Sequence, residues 1–262
     1  MITIKSPAEF EKMFVAGQVV AEVHQEIREA AKPGVTLLHL DEIAEKIIRD
    51  RGCVPSFLNY HGTYPASICA SPNDVIVHGI PTDYRLRSGD ILAIDVGAIY
   101  DGLHGDAAFT MGIGEISPQA ARLIDVTEEG MWAGISQIRH GARVGDVGAA
   151  VEAIGAREDY GVVREYVGHG IGRAMHEEPQ VPNYGKPGKG MKLRRGMAIC
   201  VEPMFNLGTA DTKVDADNWT VRTQDGQLSA HWEHTVAITR DRIVVTTLPE
   251  GVEPPVELAS GR

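Results

Sequence analysis

Apolar residues recur at helical spacing in four stretches of the chain, with strand-like runs between and after them. The first helix opens at Ser6-Pro7, an N-cap followed by proline at the first helical position. Phe10, Met13, Phe14, Gly17, Val20, Ala21 and Val23 form its apolar stripe to about residue 31, where Lys32-Pro33-Gly34 ends it. Thr36 opens a second helix carrying Leu40, Ile43, Ala44, Ile47 and Ile48 to about residue 50, and Gly52 stops it. Residues 54–64 and 66–77 mix short apolar runs with turn residues and predict short strands and loops.

Residues 91–111 hold two β-branched-rich runs around Tyr100-Asp101-Gly102, a hairpin signal. Each run carries an acid where a strand is expected to be apolar: Asp95 in the first and Asp106 in the second. With Tyr100-Asp101 as the loop, Ile99 faces Gly102, and Asp95 falls directly opposite Asp106. Such a pair would have Cβ atoms about 4.5–5.5 Å apart on one face. Two carboxylates that close repel, so one takes a proton or a cation sits between them. Hard divalent metals favour these oxygen donors. The hairpin by itself is equally compatible with two solvated acids on an exposed sheet face.

After the hairpin the pattern starts again. Ser117-Pro118 opens a long helical stretch to about residue 140, Gly141 breaks it as Gly34 did, and Asp146 opens a shorter helix to Ile154. His169-Gly170 falls where His61-Gly62 fell. The strongest internal match sets LRSGDILAID (86–95) against LRRGMAICVE (193–202), which places Glu202 where Asp95 stands. A period this long is not a solenoid. It reads as a duplicated helix–helix–sheet unit, with halves at about 6–113 and 117–240 about a pseudo-twofold axis and a site on that axis. A second hairpin is expected between residues 219–223 and 230–239 around Gln224-Asp225-Gly226, with Glu233 inside its second strand. Residues 1–248 read as a single domain. Residues 249–262, Pro-rich and acidic, are expected to form a flexible tail.

Composition narrows the chemistry. A net charge of −11 argues against a nucleic-acid or anionic-membrane partner and leaves carboxylates to spare for metal. Three widely spaced cysteines suit a reducing cytosol better than a disulfide framework. The charged N-terminus lacks an apolar signal region, and no run approaches the length of a membrane span. Asp95, Asp106, Glu202 and Glu233 carry four negative charges that two divalent cations would neutralise, removing the cost of burying them. His169 would complete a mixed oxygen and nitrogen donor set suited to Mn, Fe, Co or Zn. A closely spaced metal pair implies hydrolysis. His169 and His176 are separated by Gly170 and Gly172, which predicts an irregular loop. His78, at a strand end before a turn, reads as structural when taken alone.

Taken in order, Val-His78-Gly-Ile-Pro, Ile-Asp95-Val-Gly, His-Gly-Asp106, Gly-His169-Gly-Ile-Gly-Arg, His176-Glu-Glu-Pro, Cys-Val-Glu202-Pro-Met and Trp-Glu233-His-Thr closely resemble the type I methionine aminopeptidases of bacterial form. The resemblance runs from about residue 3 to 248. It implies an α+β pita-bread fold: two pseudo-symmetric halves around a central antiparallel sheet with a dinuclear metal site. It implies that Asp95 binds one metal, Asp106 and Glu233 bridge both, and His169 and Glu202 bind the other. It also implies removal of the initiator methionine when the second residue is small, by attack of a metal-bridging hydroxide. Glu202 would relay the proton, His176 stabilise the oxyanion and His78 contact the scissile amide. Tyr60, Tyr64, Cys69, Met175 and Trp219 match the thioether pocket, whose aromatic and sulfur walls suit a polarizable side chain. Phe57, the extra residue around Thr63, and Met175 depart from the usual pattern at the pocket rim.

The implied partner is the N-terminal methionine of nascent chains in the cytoplasm, with transient ribosome association, no membrane, no specific nucleic acid and a monomeric enzyme. Two rivals keep the same fold. A proline-directed relative usually carries an extra N-terminal domain, for which a duplication starting at Ser6 leaves no room. A non-catalytic binding protein tends to lose metal ligands, whereas all five are present here.

Overall fold

The computed structural model describes residues 2–259. The described residues form four α-helices: α1 (Pro7–Ala30), α2 (Leu37–Asp50), α3 (Pro118–Ile135) and α4 (Val144–Arg157). The first part of the chain adds strands β1 (Val54–Pro55), β2 (Ile68–Pro72), β3 (Val75–Val77), β4 (Ile91–Tyr100) and β5 (Leu103–Gly112). The middle adds β6 (Gly161–Val162), β7 (Gly168–Gly170), β8 (Glu177–Val181), β9 (Ala198–Val201) and β10 (Met204–Asn206). The last part adds β11 (Thr212–Val214), β12 (Val221–Thr223), β13 (Ser229–His231), β14 (Glu233–Ile238) and β15 (Ile243–Val245).

The helix ends follow from their caps. The Ser6 side chain accepts from Glu9 N while the Glu9 carboxylate accepts from Ser6 N, a complete capping box. Asp146 does not open α4; its carboxylate accepts from Arg143 N, three residues earlier, so Arg143 is the N-cap and the helix begins at Val144. α3 stops at Ile135 although the apolar spacing runs on to Ile138. There the chain tightens to i→i+3 bonds, Gln137 N to Gly134 O and Ile138 N to Ile135 O, before Gly141 turns it at φ 91°.

The large sheet runs β1–β4–β5–β14–β9–β7–β8, with β2 also on β4 and β15 also on β14. All its pairings are antiparallel. Alternation along the strands sorts its two faces. Ile94, Val96, Ala107, Phe109, Ile199, Val201 and Val236 enter the main core with the helices. Cys69, Ala198 and Cys200 belong to a second, smaller core on the opposite face, under the cleft. Both faces are covered, so the strands read as nearly continuous apolar runs, and an acid in them stands out.

The two halves superpose in sequence at one offset of 107 residues. It relates both ends of α2 and α4, Leu37 to Val144 and Asp50 to Arg157. It relates the isolated bridges Thr36–Arg85 and Arg143–Lys192. It also relates Gly34 N→Leu86 O at 2.7 Å to Gly141 N→Leu193 O at 2.9 Å, and Cys53 N→Ile48 O to Tyr160 N→Gly155 O, both at 3.0 Å. His61 is not the counterpart of His169: His61 lies in a short 3₁₀ turn, and His169 is the middle of β7, after which the expected irregular loop to His176 follows over residues 171–176. This is the α+β, pita-bread arrangement that the resemblance implies.

Two pairings differ from expectation. The first hairpin turns on Asp101-Gly102, with φ of 45° and 78°, and Tyr100 pairs with Leu103. A two-residue turn with both φ positive matches the strand twist and favours Asp-Gly. Asp95 therefore faces Ala108, and Asp106 faces Gly97. A shift of two residues preserves the face, so the two acids are diagonal neighbours on it. The second hairpin does not form. β12 pairs with β11 and β3, β13 with β10, and β14 with β5, β9 and β15. Each run has a distant partner that burial favours over its sequence neighbour. Of the expected tail, residues 249–259 are described; they hold no helix or strand, and Val256, Leu258 and Ala259 lie partly buried against the main core. Residues 260–262 lie outside the described residues.

Candidate active site

The cleft face of the sheet gathers the misplaced acids. Asp95 faces Ala108 on β5, and Ala108 on its other side faces Glu233 of β14, with Asp106 two residues along β5. His234 pairs with Val201, which brings Glu202, just past β9, beside Glu233. β7 pairs with β9 through Gly170 and Ile199, which brings in His169. Both halves of the chain thus feed one centre.

His169 Nδ1–H donates to Gly170 O at 2.8 Å, which leaves the Nε2 lone pair free. That Nε2 lies 3.4 Å from Glu202 Oε1 and 3.8 Å from Asp106 Oδ2. A neutral imidazole lone pair pointing at carboxylates is the arrangement of a metal shell, not of an ion pair. Burial pushes the Asp95 carboxyl up to about 7. Burial, then the neighbouring carboxylates, push Asp106, Glu202 and Glu233 well above the ordinary range. Burial and then the His176 charge push His169 down to about 3. Asp95 Oδ1, Asp106 Oδ1 and Glu233 Oε1 are buried with no hydrogen-bond partner among the described residues. Buried acceptors left unpaired are costly, and divalent cations would satisfy all three at once. The residues present therefore fit a divalent metal centre of oxygen and nitrogen donors.

Two groups at this centre escaped the sequence reading. His231 Nε2 is buried with no hydrogen-bond partner among the described residues, 3.9 Å from Glu233 Oε2 and 4.0 Å from Glu202 Oε2. The donor atoms of Asp106, His169, Cys200 and Glu233 all lie within 4.8 Å of one another, which adds the Cys200 thiol. The available signal was period two: His231 and Cys200 each stand two residues before an acid of the set. Neither residue is unusual in a core, so neither stands out alone.

A cavity of about 560 Å³ opens over the acids, and every residue expected at the site lines it. Phe57, Tyr64, Cys69 and Met175 form its buried wall, with Tyr60 and Trp219 half-buried beside them. Tyr64 is held by its hydroxyl, which donates to Ile68 O or Gly79 O at 3.0 and 3.1 Å. His78 sits in a left-handed conformation at φ 58°, rare for a residue with a side chain. The turn is forced by Gly79, where a Cβ would lie 2.3 Å from Ala70 O. The His78 ring meets Tyr166 and Trp219 edge-on, at 5.6 and 6.3 Å between centroids, and burial lowers its pKa to about 4. His176 stands at the mouth, its ring 4.2 Å from that of His169, with Tyr60 Oη against its Nδ1. Glu165 and Tyr166 line the same cavity and were not anticipated.

This geometry has known counterparts. The model of the metallopeptidase family M24 matches residues 11–240. Methionine aminopeptidase of Clostridium acetobutylicum is 49% identical over 251 residues, 95% of this chain and 100% of that protein. Methionine aminopeptidase 1 of Mycobacterium tuberculosis is 50% identical over 252 residues, 93% of this chain and 94% of that one. The crystal structure of methionine aminopeptidase from Rickettsia prowazekii superposes with a TM-score of 0.92 at 43% identity, over 95% of this chain and 100% of that one. With the fold, the carboxylate–imidazole centre and full-length likeness in agreement, the chain belongs to the methionine aminopeptidases of metallopeptidase family M24.

Proposed function

We propose that the enzyme removes the initiator methionine from nascent polypeptides whose second residue is small. The observation that carries this reading is the junction of a carboxylate–imidazole centre with a closed apolar wall in one cavity. Asp95, Asp106, His169, Glu202 and Glu233 would hold two divalent cations. When bound, such ions, Mn, Fe, Co or Zn, supply Lewis acidity and activate water near neutral pH.

The protein's own groups do the rest. The Glu202 carboxylate takes the proton of the attacking water and passes it to the leaving amine. His176 donates to the oxyanion, and His78 contacts the scissile amide. The thioether lies against Phe57, Tyr64, Cys69, Met175 and Trp219, a wall that a long polarizable side chain fills. The free state of Cys53, Cys69 and Cys200 supports the cytoplasm, and the net charge of −11 speaks against a specific nucleic-acid or anionic-membrane partner. No described helix is long and apolar enough to cross a membrane.

The test is release of methionine from Met-Ala-Ser, Met-Ile-Ser and Ala-Pro-Ser, after chelation and again with Mn²⁺ or Co²⁺. Metal-dependent cleavage of the first peptide alone is expected. Cleavage of the proline peptide would replace this reading with a proline-directed one, and silence with every metal would replace it with a binding role.

A further inference from the structure

The segment between β1 and β2 is wound unusually tightly around one residue. Asn59 and His61 both adopt the left-handed conformation, at φ 63° and 49°, and Gly62 follows at 75°. Such strain in residues with side chains persists only where the surroundings hold it, and it concentrates at functional sites. Tyr60 lies between the two strained residues. Its N–H donates to Phe57 O at 2.8 Å, and its carbonyl accepts from Thr63 N and Tyr64 N, both at 3.2 Å. Asn59 N→Tyr64 O at 2.9 Å closes the turn across its base. The His61 ring lies against the Tyr60 ring, 4.3 Å between centroids. Backbone and ring are thus both fixed.

What this fixation delivers is a hydroxyl. Tyr60 Oη lies 2.5 Å from His176 Nδ1, and among the described residues it has no other hydrogen-bond partner. The backbone leading to His176 is pinned separately. The Glu177 carboxylate accepts from Arg173 N at 2.9 Å, Ala174 N at 3.2 Å and Lys5 Nζ at 2.8 Å. The last is a buried ion pair, with side chains 1% and 4% exposed. Glu177 therefore sets where His176 begins, and Tyr60 sets how its ring is turned.

A phenol carries one proton and an imidazole can hold its own on either nitrogen. If Nδ1 carried the proton, Tyr60 would have to accept, and its own O–H would be left without a described acceptor. With Tyr60 donating, both groups are satisfied and the imidazole proton is on Nε2. We propose that Tyr60 is a positioning residue: its hydroxyl donates to His176 Nδ1 and so holds His176 in the tautomer that presents Nε2–H to the cleft. This rests on the proposed function, in which His176 is the donor to the oxyanion, since a lone pair presented there would repel the charge instead.

The experiment reads the tautomer directly. Two-bond proton–nitrogen correlations are recorded on the full-length protein loaded with diamagnetic Zn²⁺ and labelled with ¹⁵N-histidine, with His176 assigned by its absence in His176→Asn. The wild-type ring is expected to be protonated at Nε2 and bare at Nδ1, and Tyr60→Phe is expected to give a mixture of both tautomers. A wild-type ring protonated at Nδ1, or at both nitrogens, overturns the proposal without reference to any variant. So does a pattern unchanged in Tyr60→Phe. Loss of one hydrogen-bond partner predicts a fall in kcat of about tenfold on Met-Ala-Ser, with KM within about twofold. A residue acting only as pocket wall would raise KM and leave kcat. If no peptide is cleaved, the proposed function fails while the spectrum still answers for Tyr60.

Discussion

Asp106 is the sharpest test of the proposed metal centre, because its charge is buried and its oxygen Oδ1 has no hydrogen-bond partner among the described residues. Replacing it by asparagine keeps the shape and removes the charge. Asp106→Asn is expected to retain less than half the bound metal of the wild type after desalting, and to lose at least ~100-fold in activity, the scale on which metal shells respond. Metal content by mass spectrometry is the decisive reading, because folded protein with full metal would refute the assignment. His231→Ala addresses a different question. The imidazole faces Glu202 and Glu233 without a hydrogen bond, and burial lowers its pKa to about 3, so it is a neutral donor at the edge of the shell. Its removal is expected to weaken metal affinity about 10- to 100-fold, measured by competition with a chromogenic chelator. The two residues mark how far the site was legible. Asp95, Asp106, Glu202 and Glu233 were readable because an acid in an apolar strand contradicts its surroundings. His231 and Cys200 were not, because histidine and cysteine sit in cores without any ligand, and only their position relative to the acids distinguishes them.

Elements were legible where a local interaction sets them and obscure where a distant one does. Ser6-Pro7-Ala8-Glu9 states its capping box in sequence, and α1 begins there. Residues 219–239 look like a hairpin, but pairing with β3, β10, β5 and β9 depends on strands up to more than a hundred residues away, which no local signal reveals. The β4–β5 hairpin lies between these cases: its existence and face were readable, its register was not, because Tyr100-Asp101 and Asp101-Gly102 both look like turns. Two glycine substitutions separate the forces at work. Gly102 has φ 78° and open space around a would-be Cβ. Gly102→Ala therefore meets only backbone strain and is expected to cost about 1 kcal/mol in urea unfolding, with activity kept. Gly17 is an ordinary helical residue, but a Cβ there would lie 2.2 Å from Thr246 O. Gly17→Ala has to push α1 off the turn that follows β15, and is expected to cost about 1–3 kcal/mol, read as a lower urea midpoint. A milder effect at Gly17 than at Gly102 would mean that α1 packs with slack.

At the scale of the whole molecule, duplication explains why the centre exists. A sheet shared by two related halves brings Asp95 and Glu202, equivalent positions at the 107-residue offset, to the same cleft, and β5 and β14 close it with Asp106 and Glu233. A fold that buries four carboxylates together is in electrostatic debt until cations arrive, and pH exposes that. Asp95 is raised from an ordinary 3.8 to about 7 in the folded chain, and its three neighbours are raised well above the ordinary range too. Without metal, the folded chain holds protons between these pH values that the unfolded chain has released, so stability falls as pH rises through 7. The buried imidazoles act in the opposite sense. His169 and His231 are lowered to about 3 and His78 to about 4, so they remove stability as pH falls below 6.5, where the unfolded chain gains protons. Near neutrality the two effects overlap, because unfolded histidines are still partly charged there, but the imidazole contribution is the same with and without metal, so the difference between the two conditions isolates the carboxylates. In excess chelator the folded carboxylates hold protons that they must give up as pH rises, whereas saturating Mn²⁺ ionises them in the folded state. The gap in unfolding free energy between the two curves is therefore expected to widen by about 1 kcal/mol or more from pH 6.5 to 8. Urea titrations at four pH values with and without metal measure both. Parallel curves would show that the acids are not burdened by one another's charge, and the case for cations between them would fall with that result.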